Sequence, residues 1–75
     1  MNKKQIKMIL AIERFSNITK AADFIGITQA TLSKFLNSTE EKFHTKIFYR
    51  YSRSVTPSKE GEVLLRSFKT ILMEY

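Results

Sequence analysis

Hydroxyl, amide and amine side chains lie in two clusters, one on each side of Gly26. The two clusters consist of Thr19, Lys20, Thr28, Gln29, Thr31, Ser33 and Lys34. Hydroxyl and ammonium groups donate to phosphate oxygens, and a glutamine amide can pair with two atoms of an adenine edge. On exposed helix ends these residue types could bind nucleic acid. On any solvated helix they are ordinary surface residues, so the elements that carry them decide between the two interpretations.

Catalytic and metal-binding chemistry has little support in the sequence. The chain has no Cys, which excludes a disulfide and a thiolate metal site, and a single His44 without a nearby carboxylate pair does not build a zinc site. Ser33 and Ser58 have no base partner in sequence, and two glycines in total do not form a phosphate-binding loop. We therefore expect no enzymatic activity, no metal and no cofactor.

The charge of the chain narrows its possible partners. Among 75 residues, 13 Lys and Arg against 7 Asp and Glu give a net charge of +6. Such a surface attracts polyanions, which leaves nucleic acid, an anionic membrane and an acidic protein partner open. No apolar run is long enough to span a bilayer, and Lys7, Glu13 and Arg14 interrupt the stretch that could otherwise be a signal peptide. A cytoplasmic single domain is expected.

Apolar residues at helical spacing predict two helices before Gly26. The first extends roughly from Lys3 to Phe15. The second begins near Ile18 or Thr19, with Thr19 as its cap, and ends at Gly26, which tolerates a positive φ. The buried side of this second helix is expected to consist of Ala21, Ala22, Phe24 and Ile25.

A third and longer helix is predicted from Gln29 to Phe43, with Thr28 as its cap. Its apolar stripe consists of Leu32, Phe35 or Leu36, and Phe43. Residues 46–51 and 54–56 are then rich in β-branched and aromatic types, which predicts a hairpin whose polar tip is Ser52 and Arg53. Pro57 ends the second strand because it cannot donate to a ladder.

Ser58 is the predicted cap of a fourth helix, with Glu60 and Glu62 in its first turn, where the helix dipole favours negative charge. The element order is then helix, helix, tight turn, helix, hairpin, helix. This order is that of a mainly α winged helix-turn-helix, with a three-helix core, a two-stranded hairpin as wing and a C-terminal helix. A helix that opens with residues 28–34 could place its start in the major groove of DNA.

Residues 18–34 resemble the helix-turn-helix of LysR-type transcriptional regulators, and the resemblance extends into the wing. The family has an aromatic-Thr-basic-Ala-Ala opening and a later Ser-Gln-Pro-Ala-aliphatic-Ser segment. Here the first reads Ile18-Thr19-Lys20-Ala21-Ala22 and the second reads Thr28-Gln29-Ala30-Thr31-Leu32-Ser33. Further similarity lies at Ile47, Phe48, Arg50, Arg53, Val55 and residues 58–61. The resemblance implies the N-terminal DNA-binding domain of a transcriptional regulator.

Each candidate contact has a role by its chemistry and its place in this motif. Base readout is assigned to Gln29, Ala30, Thr31, Ser33 and Lys34, the last by its resemblance to a basic position of the family. Contacts to the phosphate backbone are assigned to Thr19, Lys20 and Thr28, because the first motif helix crosses the backbone and helix starts bind phosphates. Arg50 and Arg53 flank the wing tip, where an Arg can enter a narrow minor groove.

Four positions depart from the family pattern. Ala30 and Thr39 occupy positions that are commonly Pro and Leu, while His44 and Pro57 occupy positions that are commonly Gly and Leu. A positive φ at His44 would cost about 1 kcal/mol. These departures affect helix boundaries and local stability more than DNA binding.

The fourth helix is expected to form a dimer. Its apolar stripe offers more surface than one small core can hide, and the candidate dimerisation residues are Leu64, Leu65, Phe68, Leu72 and Tyr75. Residues 1–58 are assigned to the winged domain, and residues 59–75 to the start of a linker and dimerisation helix. The resemblance implies a larger effector-binding domain beyond this chain, which would then be a fragment rather than a free-standing short protein.

A different class of function remains open, namely a winged-helix module that binds protein through its fourth helix. The placement of charge distinguishes the two. A basic surface at the start of the third helix and on the wing favours DNA, whereas a neutral face there favours protein binding.

Overall fold

Four helices and one hairpin follow each other in the computed structural model, which describes residues 1–73. The elements are α1 (Lys3–Phe15), α2 (Ile18–Ile25), α3 (Gln29–Phe43), β1 (Phe48–Arg50), β2 (Val55–Pro57) and α4 (Lys59–Met73). The predicted mainly α winged helix-turn-helix is confirmed, including the bounds of α1 and α3. Among these residues no helix is long and apolar enough to cross a membrane.

Side-chain caps begin each helix, as the local sequence indicates. Asn2 and Gln5 form a capping box at α1, and the Thr28 hydroxyl accepts from the N–H of Thr31 at the start of α3. Ser58 accepts from the N–H of Gly61 at 2.8 Å, which confirms it as the cap of α4. The prediction for α2 was wrong, because Asn17 and not Thr19 accepts from the first turn, at the N–H of Lys20.

The core lies where α1, α2, α3, the hairpin and α4 meet. Its buried apolar residues are Ile6, Ile9, Ala11, Ile12, Ala21, Ala22, Leu32, Leu36, Ile47, Phe48, Val55, Leu65 and Phe68. Of the two candidates in α3, Leu36 is fully buried and Phe35 only partly. Burial of Phe24 was predicted wrongly, since its side chain is 61% exposed at the outer side of α2, and Phe43 is likewise on the surface, against the edge of Phe68.

Two of the departures from the family pattern have visible structural consequences. His44 ends α3 in the left-handed region, with φ of 52°, and its N–H donates to the carbonyl of Glu41. Thr39 is buried in α3, and its hydroxyl donates to the Phe35 carbonyl at 2.9 Å. The polar side chain is therefore satisfied within its own helix, so it adds no unpaired group to the core.

The wing begins from a segment that is held from both sides. The Glu40 carboxylate of α3 accepts from the N–H groups of Ile47 and Phe48, at 2.7 and 3.1 Å. On the other side the Ser58 hydroxyl donates to the Lys46 carbonyl, and the Ser58 N–H donates to the Ile47 carbonyl. Glu40 and Ser58 are both buried, so the start of the hairpin is held by buried hydrogen bonds to α3 and to the cap of α4.

Candidate nucleic-acid interface

The turn between α2 and α3 sets the angle of the two motif helices. Gly26 has φ of +90°, which a residue with a side chain rarely adopts, and its N–H and that of Ile27 both donate to the Ala22 carbonyl. Ala21 and Ala22 are fully buried, so α2 can approach α1 and α3 closely. This packing leaves the start of α3 on the outside.

The start of α3 presents a row of exposed hydrogen-bonding groups. The Thr28 hydroxyl donates to that of Thr31 at 2.8 Å, and the Gln29 amide donates to the Ser33 hydroxyl at 3.0 Å. Thr28, Gln29, Ala30 and Thr31 are exposed, while Ser33 is half-buried. In the free chain these groups therefore pair with each other, and a ligand at this surface must exchange those bonds for its own.

The start of α2 is joined directly to the wing. Besides capping α2, Asn17 donates from its Nδ2 to the Arg53 carbonyl at 3.0 Å, and the Val55 N–H donates to the Ser16 carbonyl at 2.9 Å. The sequence interpretation missed Asn17 as a member of this surface. The signal was an Asn immediately before an apolar helical pattern, which is a typical cap position.

The wing turns sharply between its strands. Phe48 pairs with Pro57 and Arg50 with Val55, and the Tyr51 N–H donates to the Ser54 carbonyl at 2.8 Å. Arg53 is exposed at the tip. The N-terminus of α2, the first turns of α3 and the wing line one groove, with Asn17, Thr19, Gln29, Ser33, Arg50 and residues 51–55 on its walls.

Arg50 has a role inside the domain that its sequence position did not reveal. Its Nη2 donates to Asn37 Oδ1 at 2.6 Å and to Glu40 Oε1 at 3.2 Å, and its side chain is 29% exposed. It thus connects the wing to the outer face of α3. Among the wing cations predicted to contact DNA, Arg53 is at the exposed tip, whereas Arg50 is already engaged by a carboxylate and an amide.

The elements that line the groove also carry exposed cations. Lys20 is on the surface of α2, Lys34 on that of α3 and Arg53 on the wing. Asp23 is the acidic residue of α2, and Glu40 is paired with Arg50. The exposed cations on α2, α3 and the wing tip are therefore Lys20, Lys34 and Arg53, while the first residues of α3 are uncharged.

The predicted dimerisation residues fall into separate groups. Leu65 is 1% exposed and Phe68 is 4% exposed, so both pack in the core of their own domain and the expectation that they lie on a free face was wrong. Leu64 and Leu72 are partly buried at its edge, and Tyr75 lies outside the described residues. On the same helix the structure leaves Val63 and Ile71 exposed.

Comparisons with known proteins agree on the kind of domain. The family model described as "Bacterial regulatory helix-turn-helix protein, lysR family" matches residues 4–62. The uncharacterised HTH-type transcriptional regulator YybE of Bacillus subtilis (strain 168) is 29% identical over 75 residues, which is all of this chain and 26% of YybE. YiaU, an uncharacterised HTH-type transcriptional regulator of Escherichia coli (strain K12), is 37% identical over 62 residues, 83% of this chain and 19% of YiaU.

A solved structure of similar shape contains DNA. In the crystal structure of the BenM DNA-binding domain with catB site 1 DNA, the protein matches with a TM-score of 0.90 at 27% identity, over 99% of this chain and 83% of that chain. The chain spans about a quarter of the length of YybE and less of YiaU.

Proposed function

The chain belongs to the lysR family of bacterial regulatory helix-turn-helix proteins, and from that premise we propose that this domain binds double-stranded DNA sequence-specifically as part of a transcriptional regulator. One observation carries the proposal. Two helix starts and a hairpin tip, which are the elements that reach grooves and phosphates, line a single groove, and the same elements carry the exposed cations Lys20, Lys34 and Arg53.

In binding of this kind, contacts to phosphates position the protein on the duplex, and contacts to base edges recognise the sequence. Lys20, Thr19 and the cap residue Thr28 contact phosphates and set the register, while the exposed α3 start reads base edges through Gln29 and its neighbours. The neighbours that share this role are Ala30, Thr31, Ser33 and Lys34. Arg53 at the wing tip enters the minor groove. Arg50 connects the wing to α3 through Asn37 and Glu40. It would have to break its hydrogen bond with Asn37 to contact a phosphate.

The domain acts without chemistry of its own. We assign residues 1–58 to DNA binding and residues 59–75 to the start of a linker helix, with the regulator working in the cytoplasm. A C-terminal domain beyond this chain would receive the small-molecule effector. Docking of a protein through α4 as the main function has less support, because Leu65 and Phe68 are used by the core. In addition, Lys34 of α3 and Arg53 of the wing tip are exposed cations.

Dimerisation through α4 remains part of the proposal, with a changed set of residues. Leu64 and Ile71 are seven residues apart on the helix and lie on one flank, next to Leu72. Pairing of two such flanks would place two recognition helices on successive half-sites of a pseudo-palindrome.

Titration of a labelled random duplex by fluorescence anisotropy at two salt concentrations tests the proposal. If the three cations Lys20, Lys34 and Arg53 together neutralise about three phosphates, affinity should fall about 40-fold between 50 and 200 mM salt. Absent or salt-independent binding would refute DNA binding.

Two variants then separate the roles of the residues. Lys20→Ala should weaken binding to all duplexes alike, whereas Gln29→Ala should relax the preference at one base position by about 1–3 kcal/mol. Selection of duplexes from a random pool by each variant gives the measurement. Equal losses on every sequence for Gln29→Ala would remove this residue from base readout.

A further inference from the structure

A second surface of the domain has features that DNA binding does not use. Phe24, at the C-terminal end of α2, is 61% exposed although it is a large aromatic residue. Two adjoining grooves share Phe24, Lys7 and Ala11 as walls. We define the Phe24 surface as Lys4, Lys7, Ala11, Arg14 and Phe24, which come from α1 and α2.

The aromatic part of this surface is pre-ordered. The rings of Phe15 and Phe24 have centroids 5.1 Å apart and are tilted by 50°. The Arg14 guanidinium lies over both of them, 5.4 Å from the centroid of Phe15 and 5.2 Å from that of Phe24. Contacts of this kind hold side chains in place at a solvent-exposed site. An incoming apolar group would therefore meet a ring that already packs against Phe15 and Arg14.

The rim of the surface is cationic. Lys4 and Lys7 line one groove, and Lys7 and Arg14 line the other. Within residues 1–73 none of these three side chains forms an ion pair with a carboxylate. The exposed aromatic ring offers a contact for an apolar side chain of a partner. The cations beside it, which form no ion pair within the described residues, favour a partner that carries acidic side chains.

Charge also argues against a second copy of this chain as the occupant. The chain carries a net charge of +6, and an isologous contact would bring Lys7 and Arg14 of both copies to the same interface. Like charges across an interface are unfavourable. The occupant must instead supply carboxylates around an apolar anchor.

We propose that the Phe24 surface docks an acidic amphipathic segment of a partner protein. An apolar side chain of that segment packs on the exposed Phe24 ring in the groove between α1 and α2, and its carboxylates pair with Lys7 and Arg14. This surface is separate from the groove that we assign to DNA, since none of its residues is among the proposed DNA contacts. The partner can therefore be held while the domain is on DNA.

The probe is a synthetic fluorescein-labelled peptide with leucines at helical spacing and glutamates and alanines at the other positions. Two control peptides accompany it, one with the same composition in scrambled order and one with lysine in place of glutamate. The full chain should bind the acidic amphipathic peptide in an anisotropy titration and should bind both controls at least about tenfold more weakly. No binding of the acidic peptide, or equal binding of the scrambled one, overturns the proposal.

Variants locate the site on the protein. Phe24→Ser should weaken the peptide complex about tenfold or more, whereas Val63→Ser, which alters an apolar side chain of α4 that is 60% exposed, should leave it unchanged. Lys7→Glu should weaken the complex because it reverses the charge of a residue at the rim. This second variant tests the site independently if circular dichroism shows that Phe24→Ser reduces the folded fraction. An unchanged complex for both Phe24→Ser and Lys7→Glu refutes the assignment.

Other occupants give distinct results. Binding of anionic phosphatidylserine vesicles that depends on Phe24, without binding of the peptide, would identify a membrane-binding surface and overturn the proposal. Self-association of the chain that Phe24→Ser abolishes, measured by sedimentation, would identify a second copy. Duplex DNA affinity of Phe24→Ser should stay within about twofold of the parent chain, so failure here is separable from failure of DNA binding.

Discussion

Replacement of Glu40 by alanine tests the view that a buried carboxylate holds the wing on the recognition helix. Glu40 is buried, and its Oε2 accepts from the N–H groups of Ile47 and Phe48, both of which are fully buried. Its Oε1 accepts from Arg50, whose side chain is 29% exposed. In Glu40→Ala the two N–H groups lose their partner.

The expected loss follows from these three bonds. Each buried N–H that is left without a partner costs about 1–3 kcal/mol. The contact with Arg50 adds about 1 kcal/mol or less, because solvent screens a pair that is partly exposed. The free energy of unfolding should therefore fall by about 2–7 kcal/mol. Domains have about 0.05–0.15 kcal/mol of stability per residue, so a chain of 75 residues would lose a large part of its stability.

Urea denaturation followed by circular dichroism measures this loss. For a slope of about 1.5 kcal/mol/M, the midpoint should fall by about 1.3 M or more. Arg50→Gln is the matched control, since it removes the exposed partner and leaves both N–H bonds, and it should cost about 1 kcal/mol or less. A loss below about 1 kcal/mol for Glu40→Ala, or one no larger than that of Arg50→Gln, would show that Ile47 and Phe48 find other partners.

Three further outcomes are expected. Gly61→Ala should destabilise the domain by several kcal/mol, about 3 or more, because its Cβ would lie within 2.8 Å of the Ile47 carbonyl carbon and 3.0 Å of its Cα; a shift of the thermal midpoint by less than a few degrees would contradict this. His44→Gly should stabilise the domain by about 0.5–1 kcal/mol, since it relieves a positive φ at the end of α3, and lower stability in urea would be the opposite result. Leu64→Ser with Ile71→Ser should shift the chain toward monomer in sedimentation equilibrium, and an unchanged mass would exclude this flank of α4 as the dimer contact.

Local chemistry determined much of the fold. Several features depend only on residues within one or two helical turns of each other, so the amino-acid sequence is enough to locate them. These features are the bounds of α1 and α3, the turn at Gly26 and the cap at Ser58. The positive φ at His44, where the family commonly has Gly, also depends only on the end of one helix.

Distances along the chain explain where the sequence interpretation was wrong. Asn17 and Thr19 are both acceptable caps, and the choice of Asn17 goes with its second bond to the Arg53 carbonyl, 36 residues away. Phe24 fits the periodicity of α2, yet its burial depends on whether α1 and α4 cover that side, and they do not.

The same reason separates the two sets of functional residues. The polar residues at the start of α3 were found from the sequence, because a helix start exposes them by its local geometry alone. The engagement of Arg50 by Asn37 and Glu40 was not, because it joins a strand to a helix. The sequence pattern could not distinguish Leu65 and Phe68, which are buried in the core, from Leu64 at its edge. Helical spacing shows which residues share one side of a helix. It does not show whether the core of the same domain or a second subunit covers that side. The sequence by itself therefore determined the elements and their exposed ends, whereas the tertiary structure decided which surfaces remain free to bind.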